Sequence, residues 1–190
     1  MSRKVQAPPG RLIAVEGTRG ADLRKSARAL RRRLVARKVR VGISWWDASG
    51  AFFEMGLGKR KHRVASPRTL MLLYAADLLF RLRWEIRPAL AEGQTVLAAP
   101  YLDTAVAFGR ACGLPRPWLA SLFGFAPRPD ACRRAEERKK AAGWKGNGQA
   151  GFAEFSSAAL GGASRSFEPV RLRRETIARL EKSCRRGRVI

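Results

Sequence analysis

RLIAVEGTRGADLRKS, residues 11–26, runs from an apolar stretch through a glycine-bearing turn into a charged segment. Arg11 to Glu16 is short and mostly apolar, the pattern of a buried strand, and Gly17 ends it. From Asp22 to Ala36 the period changes. Leu23, Ala27, Leu30 and Leu34 recur at helical spacing and make a core-facing stripe, with Arg24, Lys25, Arg28, Arg31, Arg32 and Arg33 mostly off it. Strand, glycine turn and helix in that order bring backbone N–H groups and a helix N-terminus to one point, which suits a phosphate.

The rest of the chain repeats the alternation. Lys38 to Ile43 reads as a second strand, broken by the loop WWDASG at Trp45–Gly50, and the cluster Lys59 to Arg63 reads as a surface connection. Ser66-Pro67 is a strong helix start, an N-cap serine with proline at the first helical position. That helix is predicted to run through Leu73, Asp77, Phe80 and Trp84 towards Pro88, with Gly93 as its stop. Thr95 to Ala99 is a third buried strand, Thr104 to Ala111 a short helix, and Trp118 to Phe125 a further helix or strand. Strands alternating with helices predict a three-layer α/β fold with a parallel sheet covered on both faces. The expected organisation is a flexible tail at 1–10, an α/β core at 11–130, a basic glycine-rich lid or linker at 131–150 and a helical C-terminal part at 151–190, with a helix around Val170 to Cys184.

Composition narrows the class. At 190 residues and 46% apolar content the chain can bury a core and is not of the disordered type. Its apolar runs, such as Leu70 to Ala76, are too short to span a membrane, and Met1 to Gly10 has no hydrophobic signal region, so a cytoplasmic protein is expected. Cys112, Cys132 and Cys184 with the single His62 give neither a disulfide framework nor a zinc pattern, and no metal site is expected. Thirty-nine Lys and Arg against 15 Asp and Glu leave a net charge of +24. Such a field attracts polyanions, nucleic acid first and acidic proteins next. The alternative is an arginine bias of GC-rich coding sequence, and both readings stand.

The glycine turn is not a Walker A loop, which requires G-x-x-x-x-G-K-[ST]. With the loop entered from Val15, Asp22 replaces the second glycine, Leu23 the lysine and Arg24 the hydroxyl; Lys25-Ser26 is a displaced K-S pair. Read with the remainder, however, the chain resembles the thymidylate kinase family. The family's E-G-x-D-G is met by Glu16, Gly17 and Gly20, and its S-P-R-T helix and L-L-F-A-A-D by Ser66-Pro67-Arg68-Thr69 and Leu72-Leu73-Tyr74-Ala75-Ala76-Asp77. The I-R-P-A-L-x-x-G turn is Ile86-Arg87-Pro88-Ala89-Leu90 with Gly93, and the D-R-Y-x-D-S-S-x-A-Y exit is Ala99-Pro100-Tyr101-Leu102-Asp103-Thr104-Ala105-Val106-Ala107-Phe108. The likeness covers roughly Leu12 to Asp130.

Its departures fall on the chemistry. The family's catalytic aspartate is Arg19, its D-R pair is Ala99-Pro100, and its R-E-P-G-G-T loop is Trp45 to Gly50. Where the resemblance implies a strand after Pro129-Asp130, the chain goes straight into Ala131-Cys132-Arg133-Arg134, so the sheet is expected to be one strand short. The resemblance implies a nucleotide-binding type of cleft, with ATP as donor, thymidine monophosphate as acceptor and magnesium present if any transfer survives, and a homodimer. It leaves no catalytic residue to name. The nucleotide-binding candidates are Glu16, Gly17, Gly20, Lys25, Ser26, Arg68, Tyr101 and Asp103, and the lid candidates Arg133, Arg134 and Arg138. Each has a plainer reading: Glu16 as an organiser of the turn, Arg68 as a solvated first-turn cation, Tyr101 and Asp103 as structural groups, and the lid arginines as part of a salt-laced helix with Glu136 and Glu137. Trp45 and Trp46 offer a stacking surface or one packed and one half-exposed ring, the second being preferred. The expected function is a divergent, catalytically impaired kinase relative, a pseudoenzyme; the alternative is a charge-driven nucleic-acid binder on the same scaffold.

Overall fold

The computed structural model describes residues 9–17, 20–46, 48–49, 51 and 66–135. Its elements are β1 (Arg11–Glu16), α1 (Gly20–Ala36), β2 (Val41–Trp45), α2 (Pro67–Arg81), α3 (Arg87–Ala91), β3 (Thr95–Ala99), α4 (Leu102–Ala111), α5 (Arg116–Leu122) and β4 (Ala131–Arg134). Among the described residues the strands form one parallel sheet in the order β2-β3-β1-β4. β3 is buried along its whole length, so TVLAA shows no polar alternation, as an inner strand of a parallel sheet requires. α1 packs across β1, β3 and β2, while α4 packs on β1 and against α2. The apolar stripe of α1 faces this core: Leu23 and Ala27 are buried, and Leu30 and Leu34 pack at its margin.

α2 starts where the sequence predicts. Ser66 Oγ accepts the Thr69 N–H at 3.2 Å, and Pro67 takes a position where no N–H is needed. The helical path continues to Ala91, but not as one regular helix. Leu82–Ile86 forms a π turn, and the Arg87 N–H reaches back to the Leu82 carbonyl. Pro88 accounts for it, since in a regular helix its ring meets the carbonyl four residues earlier and its nitrogen has no proton; one wider turn absorbs both defects. Gly93, at φ 71°, closes the segment in a conformation that side chains disfavour.

One expectation is overturned. Residues 131–134 are not the start of a lid; they are β4, paired in parallel with β1 from Ile13↔Ala131 to Glu16↔Arg134. Asp130 sets the register twice, its N–H donating to the Leu12 carbonyl at 2.8 Å and its Oδ2 accepting the Leu12 N–H at 2.7 Å. The Ala135 N–H closes the far end on the Glu16 carbonyl at 2.7 Å. Cys132, Arg133 and Arg134 are exposed, and among the described residues β4 is an outer strand, where cations deter pairing with other chains. The sheet is therefore not short of the strand that follows Asp130. Arg19, Arg138, the cluster at 59–63, the lid beyond 135 and the helix expected at 170–184 lie outside the described residues.

Candidate nucleotide cleft at the carboxyl ends of the strands

In a parallel α/β sheet the ligand crevice lies beyond the carboxyl ends of the strands. Here those ends are Trp45, Ala99, Glu16 and Arg134, on β2, β3, β1 and β4 in spatial order. Glu16 dominates this edge. It is 4% exposed and faces the N-terminus of α4, whose first N–H groups have no partner within the helix. Its Oε2 accepts from the Tyr101 N–H (3.2 Å), the Thr104 N–H (3.1 Å) and the Thr104 hydroxyl (2.6 Å), and its Oε1 from the Asp103 N–H (3.0 Å). A carboxylate at a helix N-terminus is favoured by the helix dipole as well as by these bonds.

Gly17 is committed in the same way. Its N–H donates to Thr104 Oγ1 at 3.1 Å, so this amide is not directed at a ligand. A Cβ at Gly17 would meet the Ala135 Cβ at 2.9 Å, and close packing against the end of β4 thus explains the glycine. α1 already begins at Gly20, three positions later, and Leu23, standing where the Walker lysine would be, is buried in the core. The turn is shorter than the span that lets a Walker loop wrap a phosphate. Asp22 occupies the first turn of α1 and supplies the negative charge that a helix N-terminus favours.

A consequence concerns repair of the loop. Were Gly17 and Gly20 shaping an anion nest, Asp22→Gly/Leu23→Lys/Arg24→Ser would strengthen ATP binding at least about tenfold. With the Gly17 amide taken and residue 23 facing the core, the expected result is unchanged ATP affinity by calorimetry and a lowered melting temperature, because a lysine is forced into an apolar site. A tenfold gain would show that the turn can still open around phosphate.

The other candidates separate. Lys25 is exposed and Ser26 half-buried, both within the helical body of α1; Lys25 joins Ala21, Arg24, Arg28 and Arg32 around an open depression of ≈ 460 Å³. Arg68 is exposed on the first turn of α2. Tyr101 is fully buried, its hydroxyl donating to the Pro127 carbonyl at 2.8 Å, and burial pushes its pKa up to about 12; it is a core residue, not a wall of the cleft. Asp103 is exposed, with Oδ2 3.8 Å from Cys132 Sγ, whose thiol burial pushes up. Arg133 and Arg134 stand on β4 beside Val15 and Glu16. Trp46 is buried and packs on Tyr74 at 4.8 Å between ring centroids, while Trp45 is half-buried, so the preferred reading of one packed and one half-exposed ring holds.

Magnesium, which the resemblance implies, needs oxygen ligands free to turn towards it. Glu16 is occupied by the donors of α4, Arg24 stands at the hydroxyl position and Ala99 at the strand-end acid. Among the described residues no group of three or more His, Cys, Asp or Glu side chains is placed to share a metal ion. The residues present do not fit the ion.

Sequence reasoning missed a buried polar cluster behind the β2 and β3 ends. Arg81, fully buried, donates from Nε to Ser44 Oγ (2.9 Å), from Nη2 to the Ser44 carbonyl (2.8 Å) and from Nη1 to the Pro100 carbonyl (2.9 Å). Asp77 Oδ2 lies 4.0 Å from Nη1, and Asp77 Oδ1 accepts both the N–H and the hydroxyl of Ser49 at 2.9 Å. The Ser44 hydroxyl donates to Glu85 Oε2 at 2.5 Å, and the Tyr74 hydroxyl donates to the Tyr101 carbonyl. Together these tie α2 to both strand ends and to the loop after β2. The signal was present: Tyr74, Leu78, Arg81 and Leu82 share a helix face, so an arginine on the core side needed partners there.

No known family profile matches the chain. Over 128 residues it is 38% identical to the thymidylate kinase of Xanthomonas oryzae pv. oryzae strain PXO99A, covering 65% of this chain and 54% of that protein. The thymidylate kinase of Xanthomonas campestris pv. campestris strain B100 is 37% identical over the same length and coverage. A probable thymidylate kinase of Pyrococcus abyssi is 42% identical over 59 residues, 31% of this chain and 29% of that one. The chain spans about half the length of the Xanthomonas relatives. A crystal structure of thymidylate kinase from Ehrlichia chaffeensis superposes with a TM-score of 0.56 over 68% of this chain and 72% of that one at 14% identity, which shows a common fold. No helix among the described residues is long and apolar enough to cross a membrane.

Proposed function

We propose that this chain is a divergent thymidylate kinase-like protein that keeps the scaffold and a nucleotide-binding type of cleft but has lost phosphoryl transfer from ATP to thymidine monophosphate. The observation that carries this reading is the commitment of Glu16 and Gly17 to Thr104 and the α4 N-terminus. Phosphoryl transfer depends on positioning and on charge stabilisation around a metal and the moving group. The groups that would do this are spent on the fold or replaced by Arg19, Leu23, Arg24, Ala99 and Pro100. A coupled ADP-release assay with ATP, magnesium and thymidine monophosphate should stay at its floor. Turnover of about 1 per second, ordinary for an enzyme, overturns the reading.

A second reading is favoured by one surface. The flank of α1 that lines the open depression carries Arg24, Lys25, Arg28 and Arg32, and it supports charge-driven binding of nucleic acid on this scaffold. The proposed protein partner is a second copy of the chain, for which the exposed Leu72, Leu79 and Phe80 of α2 offer an apolar face. The proposed compartment is the cytoplasm, where the free thiols of Cys112 and Cys132 are stable.

A further inference from the structure

We propose that the Arg24-Lys25-Arg28-Arg32 flank of α1 is a track for the phosphate backbone of duplex nucleic acid. The inference rests on the second reading above and adds which surface carries it and which form of the polymer it fits. Arg24, Arg28 and Arg32 follow one another at four-residue steps, about 6 Å of rise each, along one line of the helix, with Lys25 beside them. These four residues and Ala21 surround the open depression of ≈ 460 Å³. Lys25, Arg28 and Arg32 are exposed, and burial together with the neighbouring Arg28 charge pushes the Arg24 pKa down. Like charges one turn apart destabilise a helix, so an anion lying along the row relieves a repulsion built into α1. Asp22, the sole acid of α1, lies three positions before Lys25 at the head of the row, and no acid of α1 follows it.

The chemistry of the row selects among polyanions. Protein interfaces use arginine beside aromatic and large apolar anchors at a dry centre, whereas this row has the cations and no such anchor among them. Single strands are held by bases stacked on aromatic rings. α1 has none, and of the two stacking candidates at the end of β2 Trp46 is buried against Tyr74 and Trp45 is half-buried. Regularly spaced cations without a stacking platform suit a duplex, whose affinity comes from phosphates and released counterions.

The test is fluorescence anisotropy on the full chain, with a short mixed-sequence DNA duplex and one of its strands, across a salt series. Lys25→Gln/Arg28→Gln/Arg32→Gln should weaken duplex binding at least about tenfold at low salt and reduce the slope of log K against log salt by about 2–3, near 0.9 for each phosphate no longer neutralised. Arg28→Gln and Arg32→Gln alone should each remove about one unit, which keeps the measurement decisive if the triple variant folds poorly. Arg110→Gln/Arg116→Gln/Arg128→Gln, which removes exposed cations of α4, α5 and the segment before β4, should leave the slope unchanged. Equal binding by wild type and the α1 variants overturns the track while leaving the second reading intact. No duplex binding by wild type at low salt rejects both. Tighter binding of the single strand, or of polyglutamate, than of the duplex overturns the choice of partner.

Discussion

Arg81→Met should lower the free energy of unfolding by about 3–5 kcal/mol, the usual cost of removing one member of a buried ion pair. Methionine fills most of the volume, so the loss is not chiefly a cavity effect. What disappears is the set of donors to the Ser44 hydroxyl, the Ser44 carbonyl and the Pro100 carbonyl, all at 2.8–2.9 Å in a site with no exposure. Asp77, itself 1% exposed, loses its neighbour Arg81 and is left with the Ser49 N–H and hydroxyl among its partners. Urea unfolding should show a lower midpoint with an unchanged slope. Arg81→Met/Asp77→Asn should lose less than the sum of the two single changes, because the two side chains share one buried network. The deficit should also depend on pH. Burial pushes the Glu85 carboxyl above its ordinary 4.5, while its bond from Ser44 and the Arg81 charge pull it back. Without Arg81 the folded-state pKa rises further, and a carboxyl with a raised pKa destabilises the fold as pH climbs through that value. The deficit of Arg81→Met should therefore narrow as pH falls towards the carboxyl range. A loss under about 1 kcal/mol at neutral pH would mean that water replaces the guanidinium and that the cluster is not dry.

The inner strands and the start of α2 were legible because their signals are local: apolar runs bounded by glycine, and a serine followed by proline. β4 was not, since ACRR has no hydrophobic pattern, and what makes it a strand is the clamp between Asp130 and Leu12, more than a hundred residues apart in sequence (|i−j| = 118). The π turn hides for a related reason. The stop at Gly93 could be read, but the wider turn that carries the path past Pro88 to Ala91 has no residue pattern of its own. At the cleft, the lost Walker residues could be read off directly. The fate of Glu16 could not, because its partners lie 85–88 residues away at the start of α4. Tyr101 carried two readings, a pocket residue by motif match and a structural group by its place at a strand end, and only packing shows its ring to be fully buried.

Glu16→Ala should cost about 3–5 kcal/mol, because it strips the acceptor from three backbone N–H groups and a hydroxyl at a buried helix start. Bonds to a charged group contribute about 1.5–3 kcal/mol each when deleted singly, but the four act on one carboxylate and will not add. Glu16→Gln is the finer probe. Its amide oxygen can take the Oε2 position and keep the bonds from Tyr101 and Thr104, while its NH2 then faces the Asp103 N–H in place of Oε1. One favourable interaction becomes a donor–donor clash, and the charge at the helix dipole is removed, so a cost of about 1–3 kcal/mol is expected. Amide hydrogen exchange should locate the damage, with protection falling first at Asp103, Thr104 and the following turn of α4 while β3 stays protected. A metal-binding role would leave another trace. A glutamate whose chief task is to hold magnesium can be replaced by glutamine with little change in the melting temperature without magnesium, losing only the stabilisation that the ion adds. Here the loss should be the same with and without the ion. A magnesium-dependent difference between wild type and Glu16→Gln would place the carboxylate in a working site and reopen the case for phosphoryl transfer.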